Sequence, residues 1–224
     1  MFNEFSNLTQ KQSYILLLSA CILSRLATSI FYIEDIDSLR FALSLEDYNL
    51  SKLQPHFPGY PVFCFIARLL FFITGSKGVS FSIIGGSSVF FIVYYILKLS
   101  KIEINNRIGI FCSLLIFFNP LIWLMSNRYM PDLMGLALAV SSMYYLIESP
   151  NKKNLIYGFI IMGLLSGVRL SYIPLIIIPF TYHILFNHQR LYLLLLFCFG
   201  ILVWFLPLLA ITGYDNLYLV ASKQ

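Results

Sequence analysis

Long apolar segments recur along this chain, and they constrain its fold more than any other feature. A run of about 20 apolar residues is long enough to cross the hydrocarbon core of a bilayer as a helix. Hydrophobic residues make up 59% of the 224 residues, and charged residues make up 11%, whereas a soluble domain usually carries about 25% charged residues. The sequence therefore predicts an all-α fold, a polytopic bundle of transmembrane helices that forms a single domain over residues 1–224.

Seven segments have the length and apolar character expected of a span. They lie at about 13–33, 79–97, 108–125, 132–147, 155–170, 171–187 and 191–211. A shorter apolar piece, about 60–74, contains Arg68 and is ambiguous. It either crosses the membrane, lies on its surface or enters and leaves on one side.

The distribution of lysine and arginine predicts the orientation. The basic segments 97–107, 149–154 and 187–190 should be cytoplasmic, and the acidic first loop, 34–59, should then be exoplasmic. A complete crossing by 60–74 would place the lysines near residue 100 on the exoplasmic side. Either 60–74 does not cross, or the charge rule fails locally.

The charge and cysteine patterns exclude two other classes of protein. The net charge is +5, but the basic residues are scattered in short loops, so no nucleic-acid partner is expected. The four cysteines lie in separate apolar segments without a CxxC spacing. They are expected to be buried apolar side chains rather than metal ligands.

The first loop is the most acidic part of the chain. Residues 36–48 predict a short helix that carries Ile36, Leu39 and Leu43 on one apolar face and lies in the membrane interface. Asp35 is placed to cap this helix, and Asp37 falls in its first turn. At the helix N-terminus, both carboxylates interact favourably with the positive end of the helix dipole. Alternatively, either carboxylate acts as a general base, or the two hold a Mg or Mn ion together.

A rigid turn, QPHFPGYP at 54–61, closes the loop. Its prolines and Gly59 are explained by entry into the next helix, where Pro61 suits the first turn. That explanation leaves His56 and Tyr60 unexplained. His56 is either a satisfied structural residue or a group that binds an anion or shuttles a proton.

Further polar residues lie at the predicted exoplasmic ends of later spans. Arg128 and Arg169 either hold a phosphate or extend toward lipid headgroups. Arg40 in the loop helix and Asp132 complete the candidate binding set. Two other arginines, Arg25 and Arg68, lie within apolar segments; they could pair with the loop acids or with each other and are not assigned.

Three motifs, in this order along the chain, make the sequence resemble a known family. They are Asp35-Ile-Asp37-Ser38 followed by PHFPGYP (55–61), Asn119-Pro120 with Trp123, Ser126 and Pro131-Asp132, and G-x-x-x-G-x-R from Gly163 to Arg169. The chain resembles the GT-C superfamily of integral-membrane glycosyltransferases, in the bacterial branch of protein O-mannosyltransferases and aminoarabinose transferases. Phe57 stands where relatives often have proline. The family usually continues with more spans, so its C-terminal part is expected to be absent here.

The resemblance implies a reaction and a location. A sugar would pass from a polyprenyl phosphate to an acceptor hydroxyl on the exoplasmic face of a bacterial inner membrane, among membrane lipids. Asp37 or Asp35 would be the base or place a divalent metal, with no other cofactor. His56, Arg128 and Arg169 would hold the phosphate, helped by Tyr60, Asp132 and Arg40. The alternatives are a non-catalytic membrane scaffold and, less favoured because the acids gather on one face, a transporter.

Overall fold

The structure, a computed structural model, describes residues 9–148 and 152–222. Within these ranges the secondary structure is helical, apart from an isolated bridge between Asn49 and Gln54. The α-helices are α1 (Gln10–Ala27), α2 (Ile36–Ser44), α3 (Pro61–Thr74), α4 (Lys77–Leu99), α5 (Arg107–Phe117), α6 (Pro120–Met125), α7 (Asp132–Ile147), α8 (Lys152–Ser166), α9 (Ile173–Phe186), α10 (Arg190–Thr212) and α11 (Tyr214–Ser222). Short 3-10 turns lie at Leu50–Lys52 and Leu170–Tyr172.

The long helices form a bundle with two distinct ends. Helix α4 packs between α1 and α7, and α8 packs between α7 and α10. We call the end formed by residues 28–60 the loop end. The other, the lysine end, carries Lys101, whose ammonium lies 3.3 Å from a carboxylate oxygen of Glu148.

Helix α3 begins and ends at the loop end. Its N-cap, Tyr60, packs against Phe41 of α2. Beyond its C-terminus, Lys77 lies 2.7 Å from the Glu46 carboxylate, and a Cβ on Gly78 would come within 2.5 Å of the Ile30 carbonyl oxygen. Segment 60–74 is therefore a single helix that lies across the loop end and does not traverse the bundle. Helix α4 then runs to the lysine end, which agrees with the charge rule applied to Lys101.

The segment predicted as one span at 108–125 is broken in the middle. Helix α5 ends at Phe117, and α6 begins at Pro120, whose ring nitrogen has no hydrogen to donate. The Asn119 side chain accepts hydrogen bonds from the backbone N–H groups of Leu121 and Ile122, at 3.0 and 3.2 Å. This cap restarts the helix, and the two pieces together still traverse the bundle.

Within residues 9–148 and 152–222, two helices are long and apolar enough to cross a membrane, α4 and α10. The other apolar helices in the described residues, α3, α5, α7, α8 and the 170–186 segment, are shorter, at 10–17 residues. The fold is thus helical as predicted, and crossing of a membrane by any of these helices, or by α1, stays a prediction.

The loop helix forms within the predicted segment 36–48, over Ile36–Ser44, and its Phe41 face is turned toward the bundle. Asp35 caps it as expected, accepting a 2.7 Å hydrogen bond from the Ser38 N–H. However, Ile36 of the predicted apolar stripe is 64% exposed, whereas Phe41 is 1% exposed. Phe41 is buried because the rings of Tyr60 and Phe63 pack against it edge to face. The predicted stripe therefore faces outward rather than into the bundle, and its contact with a membrane interface stays a prediction.

Glycines bring backbones into direct contact at several places, including Gly85, Gly86 beside Cys21 of α1, and the Gly163–Gly200 pair. A Cβ on Gly85 of α4 would fall 1.7 Å from the Ser126 carbonyl oxygen. Gly163 of α8 and Gly200 of α10 face each other, and a Cβ on either would meet backbone of the other helix. The G-x-x-x-G part of the family-like motif is therefore a helix-packing feature here.

Candidate functional site

The loop helix places Asp37 beside a cation and a histidine. A carboxylate oxygen of Asp37 lies 3.1 Å from Arg40 Nη1 and 3.7 Å from His56 Nδ1. The first contact is a hydrogen-bonded ion pair one helical turn apart, and the second is longer than a hydrogen bond. Nδ1 is buried and has no hydrogen-bond partner within the described residues. This leaves a polar atom that a ligand or a small movement can satisfy.

The rigid turn holds His56 and Tyr60 together. His56 Nε2 and the Tyr60 hydroxyl are 2.9 Å apart. Tyr60 has a φ of +46°, which is uncommon for a residue with a side chain, and Phe41 packs against both rings. Residues held in sparsely populated backbone regions cluster at functional sites, so Tyr60 is a stronger candidate than its position before Pro61 alone suggests.

Two arginines from later segments meet this loop. Arg169 Nη2 lies 3.0 Å from a carboxylate oxygen of Asp132, and its guanidinium carbon lies 6.0 Å from the centre of the Tyr60 ring. A continuous set of contacts therefore runs from Asp37 through His56, Tyr60 and Arg169 to Asp132.

Arg128 forms a second cluster at the loop end. Its guanidinium pairs with the carboxylate of Glu34 at 2.8 Å and with that of Asp35. Asp35 therefore has two roles: one carboxylate oxygen caps α2, and the other neutralises the Arg128 guanidinium. The crevice beside Glu34, Ser38 and Arg128 has no volume open to a water-sized molecule. A ligand that binds Arg128 must displace these carboxylates.

The protonation states follow from burial and neighbouring charge. Burial lowers the pKa of the His56 imidazole, although the nearby Asp37 carboxylate opposes this shift. Burial raises the pKa of the Tyr60 phenol, and the Arg169 guanidinium acts in the other direction. At neutral pH His56 is uncharged and Tyr60 is protonated. If the Tyr60 hydroxyl donates to Nε2, the imidazole proton sits on Nδ1 and faces Asp37.

An apolar groove of about 460 Å³ lies next to these polar groups, and we call it the α3–α10 groove. Pro61 and Val62, which directly follow Tyr60, form part of its wall, and Trp204 and Leu208 of α10 line the opposite side. Arg68 also lines it, and its guanidinium approaches the Glu46 carbonyl oxygen at 3.5 Å. The groove offers an apolar chain a place beside the polar cluster.

The residues present do not assemble the predicted metal site. One oxygen of Asp35 caps α2 and the other pairs with Arg128, while Asp37 pairs with Arg40. The described residues contain no group of three or more His, Cys, Asp or Glu side chains close enough to hold a metal ion. A metal requirement stays a prediction, and we derive no step through a metal.

Sequence reasoning missed two residues near the site. Glu34 is one of the acids of the first loop, but nothing in the sequence singles it out as the partner of Arg128. Ser38 is 2% exposed, and its hydroxyl has no hydrogen-bond partner in the described part of the chain. Its signal was its place immediately after Asp37.

Arg25 is the third missed residue. It is fully buried and donates to the Ser126 hydroxyl, the Ser24 hydroxyl and the Phe117 carbonyl, each at 3.0 Å. Its guanidinium carbon also lies 3.9 Å from the Trp123 ring centre. It forms no ion pair within the described residues, so neither suggested pairing, with the loop acids or with Arg68, is present. Instead, Arg25 holds the α5–α6 break through the Phe117 carbonyl, and it contacts Ser126, which lies two residues before Arg128.

Comparison with known proteins leaves the family undetermined. No protein-family model matches the chain, and no curated protein or solved structure matches it at a significant level. The GT-C resemblance therefore stays an expectation from the motifs.

Proposed function

We propose that this chain is a multi-pass membrane glycosyltransferase that takes a sugar from a polyprenyl phosphate at the loop end. One observation carries the proposal: the contacts from Asp37 to Asp132 run beside an apolar groove that starts at Pro61. An apolar lipid tail fits the groove, and a phosphate fits Arg169 beside Tyr60 at its polar end. The large exposed apolar surface of α10 supports a membrane location.

The proposed chemistry is a direct displacement at the anomeric carbon. The acceptor oxygen forms the new bond to that carbon, the bond from the carbon to the lipid phosphate breaks, and the acceptor proton passes to Asp37. The buried Nδ1 of His56 orients Asp37 or relays this proton. Arg169 stabilises the departing phosphate, and preorganised charge of this kind is usually a large catalytic term.

A second candidate function follows from the closed crevice at Arg128. Each site cation is already paired with a carboxylate, and such charge pairs are what a non-catalytic membrane scaffold requires. In that case the pairs serve only to fasten the loop to the bundle. The scaffold predicts no binding of a polyprenyl phosphate.

Two readouts separate these candidates in membranes that contain the full chain. The first is photo-crosslinking by a polyprenyl phosphate with a benzophenone in its tail, and the second is sugar transfer from polyprenyl-phosphate mannose to a hydroxyl acceptor. We expect Asp37→Asn to keep crosslinking and to lower transfer by about 100-fold or more, since a general base usually contributes at least that factor.

The matched control is Asp47→Asn, because Asp47 lies in the same loop and pairs with Lys52 at an exposed site. It should leave both readouts unchanged. Crosslinking without any transfer would reject this sugar donor but keep the lipid site. Absence of both readouts from the folded wild-type protein would favour the scaffold.

A further inference from the structure

A second groove lies between α1 and α4 at the lysine end, on the other side of the bundle from the candidate active site. Its volume is about 450 Å³, and its lining comes from the first two turns of α1 and the last half of α4. The lining residues are Gln10, Lys11, Tyr14, Ile15, Leu18, Phe90, Tyr94 and Lys98. None of them takes part in the contacts described above.

The two helices that line this groove carry the same sequence of side-chain types from the rim inward: a lysine, a tyrosine and then apolar residues. Helices α1 and α4 are antiparallel, so Lys11 and Lys98 both lie at the rim. Tyr14 and Tyr94 come about one turn deeper, and their rings meet edge to face at 4.9 Å. At about 1.5 Å per residue, the apolar Leu18 lies about 10 Å below Lys11 along α1. The groove therefore changes from cationic at the rim to apolar within the bundle.

Each lysine is free of a carboxylate partner within the described residues. Lys98 is half-buried, and its ammonium lies 6.0 and 5.7 Å from the ring centres of Tyr14 and Tyr94. Lys11 is exposed. Within the described residues, neither the Tyr14 hydroxyl nor the Tyr94 hydroxyl forms a hydrogen bond. Glu103 lies close enough to influence Tyr14, and this one carboxylate beside two lysines leaves a surplus of positive charge.

We infer that this groove binds the headgroup of an anionic glycerophospholipid, with the phosphate between Lys11 and Lys98 and the start of an acyl chain against Leu18 and Phe90. The two lysines at the rim match the anionic headgroup, and the apolar residues deeper in the groove match the acyl chain. A free phosphate would use only the rim, whereas a zwitterionic lipid would bring a second cation next to the lysines. The inference rests on the proposed membrane location but not on sugar transfer.

Native mass spectrometry of the full chain, released from mild detergent, tests the inference with phosphatidylglycerol and phosphatidylcholine of equal chain length. We expect the wild-type protein to retain one phosphatidylglycerol at least tenfold better than phosphatidylcholine. Each lysine near an anionic lipid contributes about a fivefold change in binding. The variant Lys11→Gln should therefore lower the preference about fivefold, and Lys11→Gln with Lys98→Gln should abolish it.

The matched control removes Lys52, an exposed lysine at the loop end that pairs with Asp47. Lys52→Gln should keep the full preference for phosphatidylglycerol. If it loses as much as Lys11→Gln, the preference reflects overall charge, and the groove is not a site. Lys11 is exposed, so its single variant keeps the test valid even where the double variant fails to fold.

Two further results would overturn the inference. One is equal retention of the two lipids by the wild-type protein. The other is displacement of phosphatidylglycerol by millimolar glycerol phosphate, which would show a site for soluble phosphate instead. Asp37→Asn should leave lipid retention unchanged, so loss of sugar transfer and loss of this site are separate outcomes.

Discussion

Helices α4 and α10 have the same length, 23 residues, but opposite surroundings. In the most apolar part of α4, 61% of residues are buried inside the protein, and in that of α10 only 11% are. Helix α4 carries glycines and serines toward its neighbours, including Ser80, Ser82 and Gly85. Helix α10 presents large apolar side chains outward. Close backbone packing, not greater hydrophobicity, distinguishes the central helix from the peripheral one.

The strongest test of this difference in packing is to add a side chain to α4. Gly85→Leu would force atoms into the Ser126 carbonyl, because even a Cβ falls 1.7 Å from that oxygen. We expect a loss of about 4 kcal/mol or more in the free energy of unfolding, in the range that marks a severe packing fault. Reversible unfolding of the purified protein in mixed micelles measures it. The matched variant on α10, Leu202→Ala, should cost much less, and equal losses would contradict the contrast.

A charge on α10 tests what surrounds that helix. Leu202 lies near its middle and is 45% exposed. In a membrane, Leu202→Lys should oppose insertion by about 3 kcal/mol, whereas the same change on a water-exposed surface is nearly neutral. A glycosylation-site insertion assay on the α10 segment gives this number. Unchanged insertion would reject the membrane location of α10.

The smallest expected effect concerns the arginines. Arg25→Gln removes donors from two buried acceptors, the Ser126 hydroxyl and the Phe117 carbonyl, and should cost about 2 kcal/mol of stability. Arg68→Gln is the control, because Arg68 is exposed and makes one long contact. Thermal unfolding of both variants provides the comparison. Similar small losses for the two would show that Arg25 does not hold the α5–α6 break.

The sequence predicted much of this architecture because apolar length and helix caps are local signals. The loop helix, its Asp35 cap and the helical nature of the apolar segments are confirmed. The break at Pro120 was readable from the proline, yet the segment was assigned as one span because its hydropathy is continuous. The ambiguous 60–74 segment needed contacts at both of its ends, such as that between Lys77 and Glu46, and sequence alone does not supply them.

The site was only partly predictable, because its partners are distant in sequence. The loop motif located Asp37, His56 and Tyr60, and their mutual contacts agree with it. Arg128 forms ion pairs with Glu34 and Asp35 because of how residues 126–129 pack against α1 and α4. The sequence does not show that packing. The buried face of α2 likewise depends on Phe63, because both stripes of that helix carry apolar residues.

The location of both ends of α3 at the loop end has a consequence for sidedness. In a bilayer, the chain before α3 and the chain after it would open to the same aqueous compartment. Glu46 and Lys77 would then meet the same pH, the same salts and the same reagents. Lys98, one helix length away from Lys77, would stand in a different solution.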